Sequence, residues 1–464
     1  MKSVILASLL LVACGPTARD DGPCNPGATR DCYDGQSGTE NVGPCHGGTQ
    51  MCLGTGEWSS CMNEVTPAAE NCGDGIDNNC NGMVDEDIDS DGDGYTTCGG
   101  DCCDSTECSN PSEVNPGAFE VPGDGVDNDC DGMIDNAVPL CDSNISSATG
   151  NAADYAKAID ICQTTTMADK KWGLISATLT LTDGNGTPDA SSRSVRTHFG
   201  TNVMPQMGGS MAVISSGTAA AEGDTNPSWS APQGNGGFNL GYETSNEAAF
   251  PADFLAAHNG KLPNLMNCPD PDGSKANDPV MLTLTLRVPS NAHSFKLKTN
   301  FYSSEFPEFT CSAFNDFFVI LLDSTFNGTP GNPADKNLAI YTDQSGNIYP
   351  VGVNLGYGNT GLFTQCKNGA TGCSGKAGMI NTCTGTDELA GTGFDDAKAG
   401  ECSADSQVGG ATGWLTTTGN VVPNEIIKIR IAIWDTSDHD YDSLALIDDF
   451  EWSVDGSDPG TVIE

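Results

Sequence analysis

From Glu70 to Asn136 the chain alternates acids, Asn, Gly and Cys without a single Lys or Arg. At neutral pH these side chains repel one another, and the few apolar residues cannot form a core that offsets the ordering entropy. Bound cations and disulfides are what remain to hold it. The spacing points to cations first. Asp89, Asp91, Asp93, Gly94 and Tyr95 follow the opening of a calcium loop, in which alternate oxygen side chains converge, Gly makes the sharp turn and the next residue offers its carbonyl. Gly100 stands where the closing Glu would be, so closure falls to Asp101 or Asp104. No helical periodicity flanks the loop, which is therefore not an EF-hand. Two more alternations, Asp77, Asn79 and Asn81 with Asp85, and Asp127, Asp129 and Asp131 with Asp135, belong to an internal repeat. ENCGDGIDNNCNGMVDE and EVPGDGVDNDCDGMIDN align without gaps. Cys80 and Cys130 match while Cys72 faces Pro122, so the disulfide partners of the two copies are not equivalent. Oxygen donors select a hard cation, and several calcium ions are expected rather than zinc or copper, since the stretch has no His and its cysteines read as oxidised. An acidic disordered spacer is the bland alternative. Regular Cys, paired Gly and a gapless repeat speak against it.

The rest of the chain sets the context. Met1 to Cys14, MKSVILASLLLVAC, is an export signal whose apolar run is too short to span a bilayer. Leu11, Val12, Ala13 and Cys14 resemble the bacterial lipobox, which implies cleavage before Cys14 and lipid attachment to its sulfur. With Gly15 following, the outer membrane or cell surface is the expected destination. No other segment is long and apolar enough to span a bilayer. Of 21 Cys, Cys14 set aside, twelve fall from Cys24 to Cys130 and eight from Cys141 to Cys402, so each half can pair within itself. The net charge of −44 argues against nucleic acid and anionic lipid surfaces as partners. Divalent cations, cationic surfaces and neutral glycans remain. Residues 15–23 form a tether, 24–69 a Cys- and Gly-rich module in which staples replace a core, 70–136 the acidic repeat region, and 137–161 a linker with a short amphipathic helix around Ala153, Ala156 and Ile159.

Strand signals dominate beyond it. WGLISATLTL, SMAVISSGTA, VMLTLTLRVP, SFKLKTNFYS, FFVILLD, NLAIYTD, IIKIRIAIWD and LALIDDFEWSV are β-branched or alternating runs between turn clusters. They predict a mainly β fold, one large antiparallel β-sandwich of jelly-roll type over 162–455 with a short tail at 456–464. A Gly-rich insertion from Gly352 to Gly413 carries Cys366, Cys373, Cys383 and Cys402. Two acidic clusters interrupt the strands: Glu305, Glu308, Asn315 and Asp316, and then Asp435, Asp438, Asp440, Asp442 and Asp448 around His439. Such acids need solvent, partners or a metal, and Glu305, Asn315, Asp316, Asp440 and Asp442 are candidate ligands of a second-domain metal. A hydrolase reading would pair Glu305 with Asp442 on glycans, or Ser443 with His439. No phosphate loop, dinucleotide fingerprint or HExxH motif is present.

Two resemblances follow from these strings. DGIDNNCNGMVDE, DSDGDGY, NPGAFE and DGVDNDCDGMIDN resemble the MopE-type metal-binding motif of surface proteins from myxobacteria and relatives. That family is named after a copper-binding protein, but copper does not suit the donors here. Ser304 to Phe309, Phe314 to Asp316, and Tyr441 to Ser443, with AVISSGTA earlier, resemble the choice-of-anchor L domain of bacterial surface proteins, which implies a sandwich fold and no established activity. The combined expectation is a lipid-anchored surface protein with a calcium-loaded, disulfide-stapled stalk and a β-sandwich for adhesion to a glycan or surface protein. A purely structural envelope component and a secreted hydrolase are the alternatives.

Overall fold

The computed structural model describes residues 23–463 apart from 69, 88, 105–107, 234–241, 243, 266, 272, 357–359, 372–377 and 396–408. Cys14, Cys373 and Cys402, and with them the lipidation site, lie outside the described residues. The chain forms two compact units, Met1–Asn115 and Pro116–Glu464. The division falls inside the acidic region. The first repeat copy and the central loop belong to one unit, the second copy to the other.

In the first unit, strands β1 (Thr29–Cys32) and β2 (Gly48–Met51) make a small antiparallel hairpin. Its buried hydrophobic residues are Cys32, Cys45, Cys52, Cys80, Tyr95, Cys103 and Val114, so disulfides form most of the interior. Cys24–Cys52 and Cys32–Cys61 staple the module internally, Cys45–Cys80 ties it to the first repeat copy, and Cys72–Cys98 joins that copy to the central loop. Cys72 and Cys80 are thus each bonded to a cysteine outside the first copy. A unit with so little apolar burial depends on cross-links that restrict its unfolded chain.

The second unit is built on strands. Helix α1 (Ala152–Lys157) is capped by Asn151 and stops where Asp160 takes a φ of 70°. Cys141–Cys162 closes the segment around it. Strands β3 (Gly173–Thr180), β4 (Arg193–Arg196), β5 (Met211–Ser215) and β6 (Glu247–Ala248) precede helix α2 (Ala252–Ala257). The long strands β7 (Ala276–Arg287), β8 (Ser294–Ser303) and β9 (Phe317–Asp323) follow. The short pair β10 (Ile340–Thr342) with β11 (Ile348–Pro350) precedes the insertion, and β12 (Gly369–Thr371) with β13 (Gly378–Ile380) lies within it, before β14 (Gly410–Ala411). The chain ends with β15 (Leu415–Asn420), β16 (Ile426–Thr436), β17 (Ser443–Ser453) and β18 (Gly460–Ile463).

One sheet runs β18-β15-β8-β17-β5-β4 and the other β3-β7-β16-β9, all pairings antiparallel. From β5 through β17 each long strand crosses to the opposite sheet, which is the jelly-roll connection. The fifth place, beside β9, is filled by irregular backbone, with bridges Leu321↔Asn337 and Phe317↔Gly352. Alternation decides the interior: Leu282, Leu284 and Leu286, Ile429, Ile431 and Ile433, and Phe318 and Ile320 face Phe295, Leu297, Phe301, Ala445 and Ile447 across the sandwich. Along β9 and the end of β16 the intervening residues are also buried. Phe317, Val319, Leu321, Ala432 and Trp434 pack under Phe250 and Phe254 of the α2 region. Burial on both faces explains why FFVILL is continuously apolar rather than alternating.

Candidate cation sites

In the central loop the Asp-rich turn is folded by its own backbone. Asp89 accepts from the amides of Gly92 (2.6 Å) and Gly94 (2.9 Å), Asp91 from Asp93 (3.1 Å), and Asp93 from Tyr95 (2.7 Å). Both Asp89 oxygens are taken by these amides and the second Asp93 oxygen accepts from the Asn115 side chain (2.6 Å), which leaves Asp91 Oδ2 as the oxygen of the three without a hydrogen-bond partner. Asp104 returns from the far side, accepting from the Ser90 and Thr97 amides, and Asp101 accepts from Cys103. Oxygens of Asp89, Asp91 and Asp104, and of Asp91, Asp93 and Asp101, lie within 4.8 Å of one another. That is the spacing at which ligands contact one cation. Asp91 Oδ2 and Asp101 Oδ2 are buried without a hydrogen-bond partner. Burial pushes the Asp101 carboxyl up to about 6, and neighbouring Asp93 and Asp91 push the same way. Both proposed closing residues therefore reach the loop, and Tyr95 sits at its end as a buried side chain.

The two repeat copies share a backbone as well as a sequence. Gly82 and Gly132 have φ of 94° and 92°, and Cys80 and Cys130 of 59° and 55°. In the second copy Asp127 accepts from Asp131 (3.1 Å) and Gly132 (2.9 Å), and Asp129 and Asp131 bond the amides that follow. Glu120 accepts from the Asp129 amide (3.0 Å), and its oxygens come within 4.8 Å of those of Asp127 and Asp129. Its Oε2 is buried without a hydrogen-bond partner. In the first copy Asp77 is held by Asn81 and Gly82 in the same way, Glu70 accepts from Asn79 (2.7 Å), and Glu86 receives the side-chain amides of Asn79 and Asn81. Asp85 and Asp135 face elsewhere: each accepts from the opening glycine, Gly73 or Gly123, at 2.8 Å, and so pins the loop rather than facing the alternation. Glu70 and Glu120 are the residues sequence reasoning missed. Their signal was present, since both stand at the first position of the aligned copies. Asp34, Cys61 and Glu64 also lie close together, but Cys61 is in a disulfide and offers no thiolate.

In the sandwich, one end collects acids from several strands. Asp278 lies on β7, Glu305 just past β8, Asp316 just before β9, Asp435 near the end of β16 and Asp442 just before β17; all five are at most 2 % exposed. A register shift in β16 between Ile433 and Asp435 sets the last turn of that strand. Ser443 donates to Asp316 (2.7 Å), the Tyr242 amide to Asp442 (3.2 Å), and Thr244 to Asp278. Burial holds Glu305, Asp435 and Asp442 well above the usual carboxylate range, and Asp316 at about 7, with other carboxylates adding to the shift. Asn315 accepts from the Asn354 amide (2.8 Å), and Asp440 acts on Glu305 and Asp442 through its charge. Asp278 and Asp435 are the members absent from the sequence-derived ligand set. These carboxyls are buried together but not to the 4.8 Å spacing of the acidic loops. His439 Nδ1 is 2.6 Å from Asp278 and the Ser443 hydroxyl is spent on Asp316, so Ser443 and His439 do not form a nucleophile pair.

A third acidic group sits where α1 meets the first sheet. Burial first, then Asp448, Asp142 and Asp449, push the Asp160 carboxyl up to about 8, a shift that a hydrogen bond from the Asp449 backbone only partly offsets. Asp142 and Asp448 are held by the amides of Gly209 and Gln206, and Lys298 reaches Asp449 at 3.7 Å. Because the folded state holds this proton to a higher pH than the unfolded chain, stability falls as pH rises from about 4 toward about 8. Replacing Asp160 with Asn is expected to flatten that slope. Melting of parent and variant at pH 6 and pH 8 checks it, and equal slopes would count against the assignment.

Convergent, backbone-braced carboxylates in a disulfide-rich region, together with a jelly-roll sandwich in one chain, define a modular β protein with metal-binding character. Residues 261–450 match the Choice-of-anchor L domain, and residues 66–86 and 109–136 match the MopE family described as "Putative metal-binding motif". The second match covers both repeat copies and leaves the central loop between its parts. The first match begins after β5, so the AVISSGTA segment precedes it. These are a surface anchor domain and a metal-binding motif, not enzyme families, and they point to a surface-associated protein. No curated protein and no solved structure matches the chain. Among the described residues no helix is long and apolar enough to cross a membrane.

Proposed function

We propose that this is a lipid-anchored surface protein of the outer membrane, held there through Cys14, whose acidic region binds several calcium ions and whose β-sandwich serves adhesion to a glycan or a surface protein. The observation that carries the reading is the convergence of Asp89, Asp91, Asp93, Asp101 and Asp104, in which Asp91 Oδ2 and Asp101 Oδ2 are buried without a hydrogen-bond partner. Calcium fits because the donors are oxygens only and their number suits its six to eight ligands. Binding cancels the mutual repulsion of the acids, so binding energy becomes folding energy of a region with little core. A structural envelope role is favoured by one feature. Among the described residues the exposed large hydrophobics are aliphatic or Met, and the aromatics are buried or half-buried.

One experiment separates the two roles. Beads coated with the chain are expected to cluster with cells or extracellular polymer in calcium and to disperse on chelation. Failure to cluster in calcium, with the protein still released from cells by Cys14→Ser, would leave the structural role.

A further inference from the structure

At the β4 edge of the first sheet, within the second unit, lies a cavity of about 390 Å³. One wall is the segment 142–147, which follows Cys141 and is tied to β4 where the Val195 amide donates to the Ser147 carbonyl (2.9 Å). Two charged side chains are built into the cavity. Arg196 is 7 % exposed, and its guanidinium is fixed by Ser194 Oγ (3.0 Å), the Ala219 carbonyl (3.2 Å) and Asp224 (3.1 Å). Asp142 is 6 % exposed, and its Oδ2 accepts from the Gly209 amide (2.6 Å) and the Ser210 hydroxyl (3.1 Å). Around these fixed groups stand polar atoms that are not engaged. Among the described residues, Oδ1 of Asp142 and of Asp224, the side chains of Asn144 and Ser147, and His198 Nε2 have no hydrogen-bond partner. Ile145 and Val195 supply apolar wall between them. Braced charges, unspent donors and acceptors, and a patch of apolar lining in a cavity of this size are what a small-ligand site requires.

We propose that this cavity binds a neutral sugar residue, which places the glycan contact of the sandwich at its β4 edge. The proposal rests on the adhesion reading above and chooses a glycan over a surface protein as the ligand. Charge narrows the class first. Arg196 is paired with Asp224, so an anion would meet Asp142 uncompensated in a chain of net charge −44. Hydroxyl groups match what is left. Each donates and accepts, so a sugar can serve Asp142 and Asp224, which only accept, and Arg196, which only donates, together with Asn144 and Ser147, which do both. Stacking on an exposed ring is not needed, because hydrogen bonds and contact with Ile145 carry the recognition. An organic cation, drawn by Asp142 alone, is the alternative occupant.

The test uses the full chain in calcium, with free glucose, galactose, mannose and N-acetylglucosamine as ligands and methylammonium as the cation. Binding is read by saturation-transfer NMR titration of the parent, Asn144→Gly and His198→Ala. Both side chains are exposed, and Gly suits the φ of 63° at Asn144, so both variants are expected to fold. At least one sugar is expected to bind the parent, with affinity falling about fivefold in each variant, as for the loss of one hydrogen bond. Parent-like affinity in either variant overturns this site while leaving a glycan ligand elsewhere on the chain. Transfer to none of the sugars, or to methylammonium alone, overturns the proposal. Beads that still cluster with cells would then show adhesion to a surface protein, so the proposal and the adhesion reading fail separately.

Discussion

Chelating calcium is expected to expose the stretches 70–104 and 120–136 to proteases while the sandwich stays folded. In the first unit the buried hydrophobics are mainly half-cystines, and the acids of the central loop face one another. At a calcium concentration 100 times the dissociation constant, a single site stabilises its fold by about 2.7 kcal/mol, a roughly 100-fold change in the open population. Protease cleavage that follows that population should accelerate by a similar factor. Cys45–Cys80 and Cys72–Cys98 keep the loop ends tied, so the response is local loosening rather than full unfolding. Limited proteolysis with and without chelator, read by mass spectrometry, checks it. Cleavage that begins in β7 or β16 instead would show that the metal is not what orders the acidic region.

Truncating Trp434 to Ala is expected to be among the most damaging single changes in the second unit, at about 3–5 kcal/mol. Trp434 is fully buried, stacks on Phe317 with ring centroids 5.6 Å apart and meets Phe250 at 5.8 Å and Phe254 at 6.5 Å. It joins the outer face of the second sheet to α2, so its loss opens a cavity in a layer that also holds Ala432 and Val319. Chemical denaturation should show a lower midpoint with little change in slope. A cost below about 1 kcal/mol would mean that the α2 layer adds little to the sandwich.

Much of this architecture was legible from residue patterns, and the exceptions have physical causes. Eight apolar runs correspond to strands because alternation or double-sided burial leaves a clear signature. Strands β4 (RSVR), β15 (LTTTGN) and β18 were not evident: short, polar or Gly-containing segments become strands only when a neighbour supplies the ladder, as β8 does for β15 and β15 for β18. The Asp-rich central loop was readable because its converging acids lie close in sequence. Glu70 and Glu120 were missed because each joins its site from seven residues upstream of Asp77 or Asp127, outside the alternation. Asp85 and Asp135 fit the spacing but bond glycine amides, since a carboxylate beside an open turn finds backbone donors first. The sandwich acids come from widely separated strands, and topology alone brings Asp278 to Asp442.

Calcium titration of the full chain by calorimetry, with melting followed in parallel, bears most directly on the central claim. The account predicts that several ions bind, that melting rises with calcium, and that Asp91→Asn with Glu120→Gln removes heat and shift together. Absence of calcium binding by the parent, with melting unchanged, would contradict it and leave the repeats as a solvated, disulfide-held spacer.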